Sequence, residues 1–161
     1  MKIKIIIVGK TKEKFLQQGE KEFQKRLMRY CHLNWTIIKE EKITANKTGQ
    51  IIKLKEAEKI SSQVSKGAFV IALDEAGDQM SSEHFAEFLQ HKMNEGVSEF
   101  TFIIGGALGL DDSILKKATK ILSLSQMTYT HEMSRLILLE QLYRAFTILK
   151  GEKYHKGLEY K

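Results

Sequence analysis

Proline is missing from this chain altogether, and cysteine occurs once, as Cys31. Without proline, no X-Pro isomerisation slows folding and no turn is set by a pyrrolidine ring. A single cysteine excludes an internal disulfide and a thiolate-rich metal cluster. The five histidines (His32, His84, His91, His131, His155) lack the paired spacing of a zinc site, so no metal is expected. Long apolar runs are missing too. Ile5–Val8 and Ala68–Leu73 fall far short of the roughly 20 residues of a membrane span. The opening stretch is also too short for a leader core, so a cytoplasmic location without membrane contact is expected.

What is present is an ordinary globular balance. The chain has 161 residues, 42% hydrophobic and 29% charged, which suits one domain with a proper core. Acidic residues are scarce in the first part. Residues 1–66 carry sixteen Lys/Arg against seven Asp/Glu, while residues 67–161 carry ten against thirteen. A basic half beside a slightly acidic one points to one surface that meets a polyanion.

Apolar runs alternate with amphipathic stretches. Lys2–Val8 reads as a buried strand, and Thr11–Tyr30 as a helix with Phe15, Leu16, Phe23, Leu27 and Tyr30 on one stripe. Leu33–Glu40 alternates like a strand, and a polar helix follows from about Gln50 to Ser65. Ala68–Asp74 is a continuous strand, "EAGDQM" a turn, and "SSEHFAEFLQHKMNEG" a helix with a serine cap and Gly96 as its stop. "EFTFIIGG" is a strand, "DDSILKKATK" a short helix, "ILSL" a last strand, and Glu132–Lys150 a long final helix. Strand–helix repeated five times implies an α/β fold with a mostly parallel sheet flanked by helices.

In such folds ligands sit beyond the carboxyl ends of the strands. Those ends are Asp74–Gly77, Gly105–Gly109 and Leu124–His131, all in the second half. "FIIGGALGL" lets backbone approach a ligand closely, but G-G-x-x-G is neither the dinucleotide fingerprint nor a P-loop. Asp111 and Asp112 already fill the next helix start with negative charge, which disfavours phosphate there. Asp74, Glu75 and Asp78 read as solvated acids of a turn, and Ser81 and Ser82 as helix caps. "LSLSQMTYTH" is too rich in hydroxyls for a core strand and too poor in Gly, Asn and Asp for a surface turn. It reads as an ordered loop, with His131 a capping or core residue. In the final helix Glu140 and Arg144 form an i,i+4 pair in the favourable order. The Leu136–Leu139 run beside them implies packing against two layers or another subunit. The "GEKYHK" end reads equally well as a free polar tail.

Taken together, "LDEAG…SSEHFA", "FIIGGALGL", "LSLSQMTYTHEMSR", "LLEQLYRA" and "GEKYHK" resemble the RlmH family of SPOUT-class methyltransferases, from Met1 to about Lys156. That family methylates N3 of a pseudouridine in 23S ribosomal RNA of the large subunit, with S-adenosylmethionine as donor. The resemblance implies a single domain over residues 1–161, with a C-terminal trefoil knot and the cofactor site within about 67–156. It also implies a homodimer that acts on ribosomal RNA in the large subunit or the assembled ribosome. The cofactor positions that carry over are Leu73, Gly105, Leu124, Ser125, Gln126, Met127, Thr128 and Tyr129.

The chemistry implied is in-line attack of a ring nitrogen on a sulfonium methyl, with loss of the imide proton. His155 or His131 could take that proton. Arg135 and Arg144 could hold RNA phosphate or the uracil oxygen, and Tyr154 could stack on or hydrogen-bond the base. The basic residues Lys12, Lys14, Lys21, Lys25, Arg26, Arg29 and Lys53–Lys59 are the cationic surfaces expected to meet RNA. One subunit would hold the cofactor while its partner presents that surface. The chain departs from the family's common pattern at Lys153, where proline is frequent, and at Asp78, where lysine is frequent. Gly157–Lys161 run past the usual end. The rival readings are a non-catalytic RNA-binding or ribosome-assembly protein on the same fold, and a nucleotide-dependent oxidoreductase using the Gly-rich turn. The latter lacks both the fingerprint and an acidic residue at ribose distance.

Overall fold

The computed structural model describes residues 1–156. Five strands alternate with helices: β1 Lys2–Val8, α1 Lys14–Leu27, β2 His32–Ile38, α2 Gly49–Gln63, β3 Phe69–Asp78, α3 Ser82–Asn94, β4 Glu99–Ile104, α4 Asp112–Lys117, β5 Lys120–Leu122, α5 His131–Leu149 and α6 Lys153–Lys156. All strand pairs are parallel, in the order β2-β1-β4-β3-β5. The strand–helix alternation read from the sequence is therefore the architecture.

Period-two alternation divides the core between the two faces of the sheet. Ile3, Ile5 and Ile7 of β1, Phe100, Phe102 and Ile104 of β4 and Ile71 of β3 face one core. That core also takes Leu27 of α1, Phe85, Ala86 and Leu89 of α3, and Leu138, Leu139 and Leu142 of α5. Ile6, Val8, Ile103 and Ala72 face the other way, onto Ala57 and Ile60 of α2 and Ile114 of α4. Burial on both faces is why β1 and β4, two of the three inner strands, carry apolar runs at Ile5–Val8 and Phe102–Ile104. β2 lies at an edge and is buried only intermittently.

Helix ends follow local chemistry. Thr48 caps α2 by accepting from the Ile51 N–H, Ser81 caps α3 by accepting from His84, and Asp111 caps α4 by accepting from Ser113. Gly96 takes φ +96° just past α3, as its reading as a stop required. The start of α1 has no side-chain cap of its own. Instead the Glu132 carboxylate, from α5, accepts the Lys12 and Glu13 N–H groups at 3.0–3.3 Å. α5 lies between α1 and α3, and this accounts for a helix that is apolar around most of its circumference.

Three expectations need correction. The "EAGDQM" stretch is not simply a turn, because β3 leaves its ladder after Leu73 and rejoins it at Asp78, opposite Leu122. The last strand covers Lys120–Leu122 rather than Ile121–Leu124, since only those residues pair with β3. The end of the described chain is not a free tail: Lys153–Lys156 form α6, held by the Tyr154 ring against Tyr143 at 4.7 Å.

Candidate functional site

Strands β4, β3 and β5 are neighbours, so their carboxyl ends bring Gly105, Leu73 and the Leu124–Tyr129 segment to one end of the sheet. Three stretches far apart in sequence thus converge where an open α/β sheet binds its ligand. Gly105 has a steric reason to be glycine. A Cβ there would lie 2.7–3.0 Å from the Gly109 and Leu110 backbone, which the Gly106–Gly109 turn folds against it.

The Leu124–Tyr129 segment is neither helix nor strand. The buried Ser123 hydroxyl donates to the Ser125 carbonyl at 3.0 Å, and the Ser125 hydroxyl accepts the Met127 N–H at 2.9 Å. Its hydroxyls therefore brace its own backbone. Among the described residues, the N–H groups of Leu124, Gln126, Thr128 and Tyr129 have no hydrogen-bond partner. Met127 and Tyr129 are strongly exposed for apolar side chains, 75% and 39%.

A cleft of about 320 Å³ opens beside this segment. Leu122, Leu124, Phe85, Ile137 and Leu138 give it apolar walls, and Ser81, Ser82, Gln141 and Tyr129 add polar groups. Leu124 and Tyr129 thus line it, whereas Leu73, Gly105, Ser125, Gln126, Met127 and Thr128 do not. A second depression, of about 400 Å³, lies around Lys2, Lys4, His32 and Glu99 at the amino ends of the strands. It is at the wrong end of the sheet for this chemistry.

A second constellation joins α3, α5 and α6. The Glu140 carboxylate accepts from Arg144 at 2.6 and 3.0 Å and from the Tyr154 hydroxyl at 3.0 Å. The Arg144 guanidinium lies 4.9 Å from the Tyr154 ring centre. Burial and then the Glu140 charge push the Tyr154 phenol above its usual value, so it stays a neutral donor. His155 Nε2 lies 2.9 Å from Glu83 Oε1, while its buried Nδ1 has no partner among the described residues. The Glu83 carboxyl is held below its usual range, first by its own backbone N–H, then by the Ser81 hydroxyl and by His155.

Arg135 is elsewhere. It is fully buried and donates to the Val8 carbonyl at 2.6 Å and the Thr11 hydroxyl at 2.9 Å. The expected RNA contact by Arg135 is therefore withdrawn, since its guanidinium faces the interior of the chain. His131 opens α5, where burial and then the Arg135 charge push its imidazole below its usual value. Arg144, Tyr154 and His155 are brought together; Arg135 and His131 belong to another cluster. Sequence reading missed Glu83 and left Glu140 as a mere ion pair. The Ser81–Glu83 cap position was visible, but nothing local linked it to a histidine 72 residues away.

The family model described as "Predicted SPOUT methyltransferase" matches residues 1–155. The chain belongs to the SPOUT methyltransferase family. Among curated proteins it is 50% identical to the "Ribosomal RNA large subunit methyltransferase H" of Halothermothrix orenii, over 97% of this chain and all of that one. It is 45% identical to the protein of the same name from Acetivibrio thermocellus, again over 97% of this chain and all of that one. Solved structures share the fold at low identity. A probable methylase family protein from Haemophilus influenzae superposes with a TM-score of 0.55 at 12% identity, over 94% of this chain and 69% of that one. The tRNA (m1G37) methyltransferase from Aquifex aeolicus gives 0.54 at 12%, over 89% and 70%. Within this SPOUT chain, the described residues contain no group of His, Cys, Asp and Glu suited to a metal, and no helix long and apolar enough to cross a membrane.

Proposed function

We propose that this protein methylates N3 of a pseudouridine in large-subunit ribosomal RNA, with S-adenosylmethionine as methyl donor. The observation that carries the reading is the convergence of Leu73, Gly105 and Leu124–Tyr129 at one end of the sheet. They lie in a chain whose full-length relatives are named as large-subunit ribosomal RNA methyltransferases. The residues present suit the donor. Backbone N–H groups with no partner among the described residues can meet an adenine, and Leu122 and Leu124 offer apolar walls. Leu73, Gly105 and Leu124–Tyr129 would hold S-adenosylmethionine, whose sulfonium supplies an electrophilic methyl group.

The chain's own part is then to position the base and to receive a proton. Tyr154, fixed by Glu140 and stacked near Arg144, presents an edge for the uracil-like ring. Arg144, held on Glu140, places positive charge where anionic character develops on the base oxygens. His155, oriented by Glu83, is the candidate proton acceptor.

The reading includes a homodimer and a trefoil knot. Supporting both are the exposed Met127 and Tyr129 and an α5 that packs back between α1 and α3 although β5 is at the sheet edge. The test maps the methylated nucleotide in ribosomes from a deletion strain, before and after adding this protein and S-adenosylmethionine. A new N3-methylpseudouridine is expected. Calorimetry showing no binding of S-adenosylmethionine would favour the non-catalytic RNA-binding reading instead.

A further inference from the structure

β5 is three residues long, at the edge of the sheet, and pairs with β3 alone. So short an edge strand has few bonds of its own to fix its position. Yet it leads directly into Leu124–Tyr129, where a displacement of an ångström would be felt.

The excursion of β3 supplies the missing constraint. Leu73 pairs with Leu122, the chain then departs through Asp74–Gly77, and Asp78 returns to pair with the same Leu122. The departure is shaped by an Asx-type bond, the Ala76 N–H donating to Asp74 Oδ1 at 3.0 Å. Gly77 lies flat on the β5 backbone: a Cβ there would sit 2.7 Å from the Ile121 carbonyl carbon and the Leu122 N and C atoms. Every one of these is a backbone atom, so no side-chain rotation could make room. Asp78 then grips both ends of the strand. Its carboxylate accepts from Lys120 Nζ at 2.8 Å, and its carbonyl accepts the Ser123 N–H at 2.9 Å. From Ser123 the relay continues through its hydroxyl to the Ser125 carbonyl, and from the Ser125 hydroxyl to the Met127 N–H.

We infer that Gly77, Asp78 and Ser123 are positioning residues, a clasp of β3 on β5 that sets the backbone of Leu124–Tyr129 for the methyl donor. The inference rests on the cofactor reading above. The clasp needs glycine at position 77 for close approach, a carbonyl at 78, and a hydroxyl at 123 to carry the constraint onward. The carboxylate of Asp78 adds an ion pair to Lys120, which closes the clasp on the other end of β5.

The test uses the full chain with Gly77→Ala, Ser123→Ala and Ser123→Thr. Two readouts are compared: calorimetric affinity for S-adenosylmethionine, and amide hydrogen exchange across residues 124–129 without ligand. Gly77→Ala and Ser123→Ala are expected to weaken donor binding at least about tenfold. They should raise the KM for the donor while leaving the KM for ribosomes unchanged, and speed exchange at Met127. Ser123→Thr should restore both. Should Gly77→Ala fail to fold, the serine pair carries the test. Donor affinity and exchange at wild-type levels in Ser123→Ala overturn the clasp. If the wild-type chain binds no donor, the cofactor reading falls, and exchange alone decides: faster exchange in Ser123→Ala, reversed by threonine, upholds the clasp, and unchanged exchange overturns it.

Discussion

Arg135 of α5 donates to the main-chain carbonyl of Val8, the last residue of β1, at 2.6 Å. The same guanidinium reaches the Thr11 hydroxyl, which in turn donates to Glu20 at 2.6 Å. Burial pushes the Glu20 carboxyl up, against the pull of Thr11 and Arg135, and pushes the Arg135 guanidinium down, against Glu20 and Glu132. A buried cluster of this kind fastens the end of β1 and the start of α1 to the start of α5. Removing its cation leaves the buried Val8 carbonyl and Thr11 hydroxyl without that donor, and Glu20 without a nearby positive charge. Arg135→Met is expected to cost about 1–3 kcal/mol for each buried acceptor left unsatisfied. Arg135→Lys should recover little, because one ammonium cannot span both acceptors as a fork does. Urea unfolding at a fixed protomer concentration measures both. A methionine variant as stable as wild type would remove the cluster from the ledger of what holds the fold.

Glu41 gives a pH prediction. Lys59 and Lys47 donate to its two carboxylate oxygens at 2.5 and 3.1 Å and hold its pKa well down, at about 2. A depressed folded-state value contributes stability that is complete above the ordinary carboxylate range. That contribution is lost as pH falls from there through about 2. The stability difference between wild type and Glu41→Gln should thus be constant above about pH 5 and shrink toward zero at acid pH. Carbon NMR of the Glu41 carboxyl checks the cause: its midpoint should return to the ordinary range in a Lys47→Met, Lys59→Met double variant.

How far such features can be read in advance depends on whether their cause is local. β1 and β4 were legible because burial on both faces leaves apolar runs at Ile5–Val8 and Phe102–Ile104, and the caps at Ser81 and Asp111 because capping is a property of neighbours in sequence. The convergence of Leu73, Gly105 and Leu124–Tyr129 was legible as strand ends, and the resemblance named the residues. The return of β3 at Asp78 was not, because it exists only by virtue of β5 lying 42 residues away. Nor was the burial of Arg135, whose partners Val8 and Thr11 lie on another element. α6 is four residues long and shows no periodicity to detect; tertiary contact of Tyr154 with Tyr143 explains it.

The Tyr154–Glu140–Arg144 and His155–Glu83 contacts make separable predictions. Tyr154→Phe keeps the ring against Tyr143 but loses the bond to Glu140. His155→Ala removes the proposed proton acceptor, and Glu83→Gln keeps the imidazole but weakens its orientation. For His155→Ala a loss of about 10²–10⁴-fold in kcat is expected, with donor affinity unchanged. Glu83→Gln should show a smaller loss and a shifted acid limb of the pH–rate profile, which a purely structural role would not give. Tyr154→Phe should lower turnover less than His155→Ala. Turnover at the wild-type level in both Tyr154→Phe and His155→Ala would remove this end of the chain from the mechanism.

The basic surface is concentrated on α1 and the residues leading into it. Lys12, Lys14, Lys21 and Lys25 are exposed there, and Arg29 just after it. Arg26 is instead paired with Glu22 at 2.7 Å, and Lys59 is tied to Glu41, so neither is as free as its charge suggests. Lys55 remains exposed on α2. If the exposed lysines contact RNA phosphates, the logarithm of affinity should fall linearly with the logarithm of salt, by about 0.7–0.9 per phosphate neutralised. Lys21→Glu with Lys25→Glu should then flatten that slope by roughly one per lost contact while leaving S-adenosylmethionine binding untouched. Arg26→Gln, which removes a charge already paired, should change the slope least. A response that is flat in the wild-type chain would place RNA recognition on surfaces other than α1.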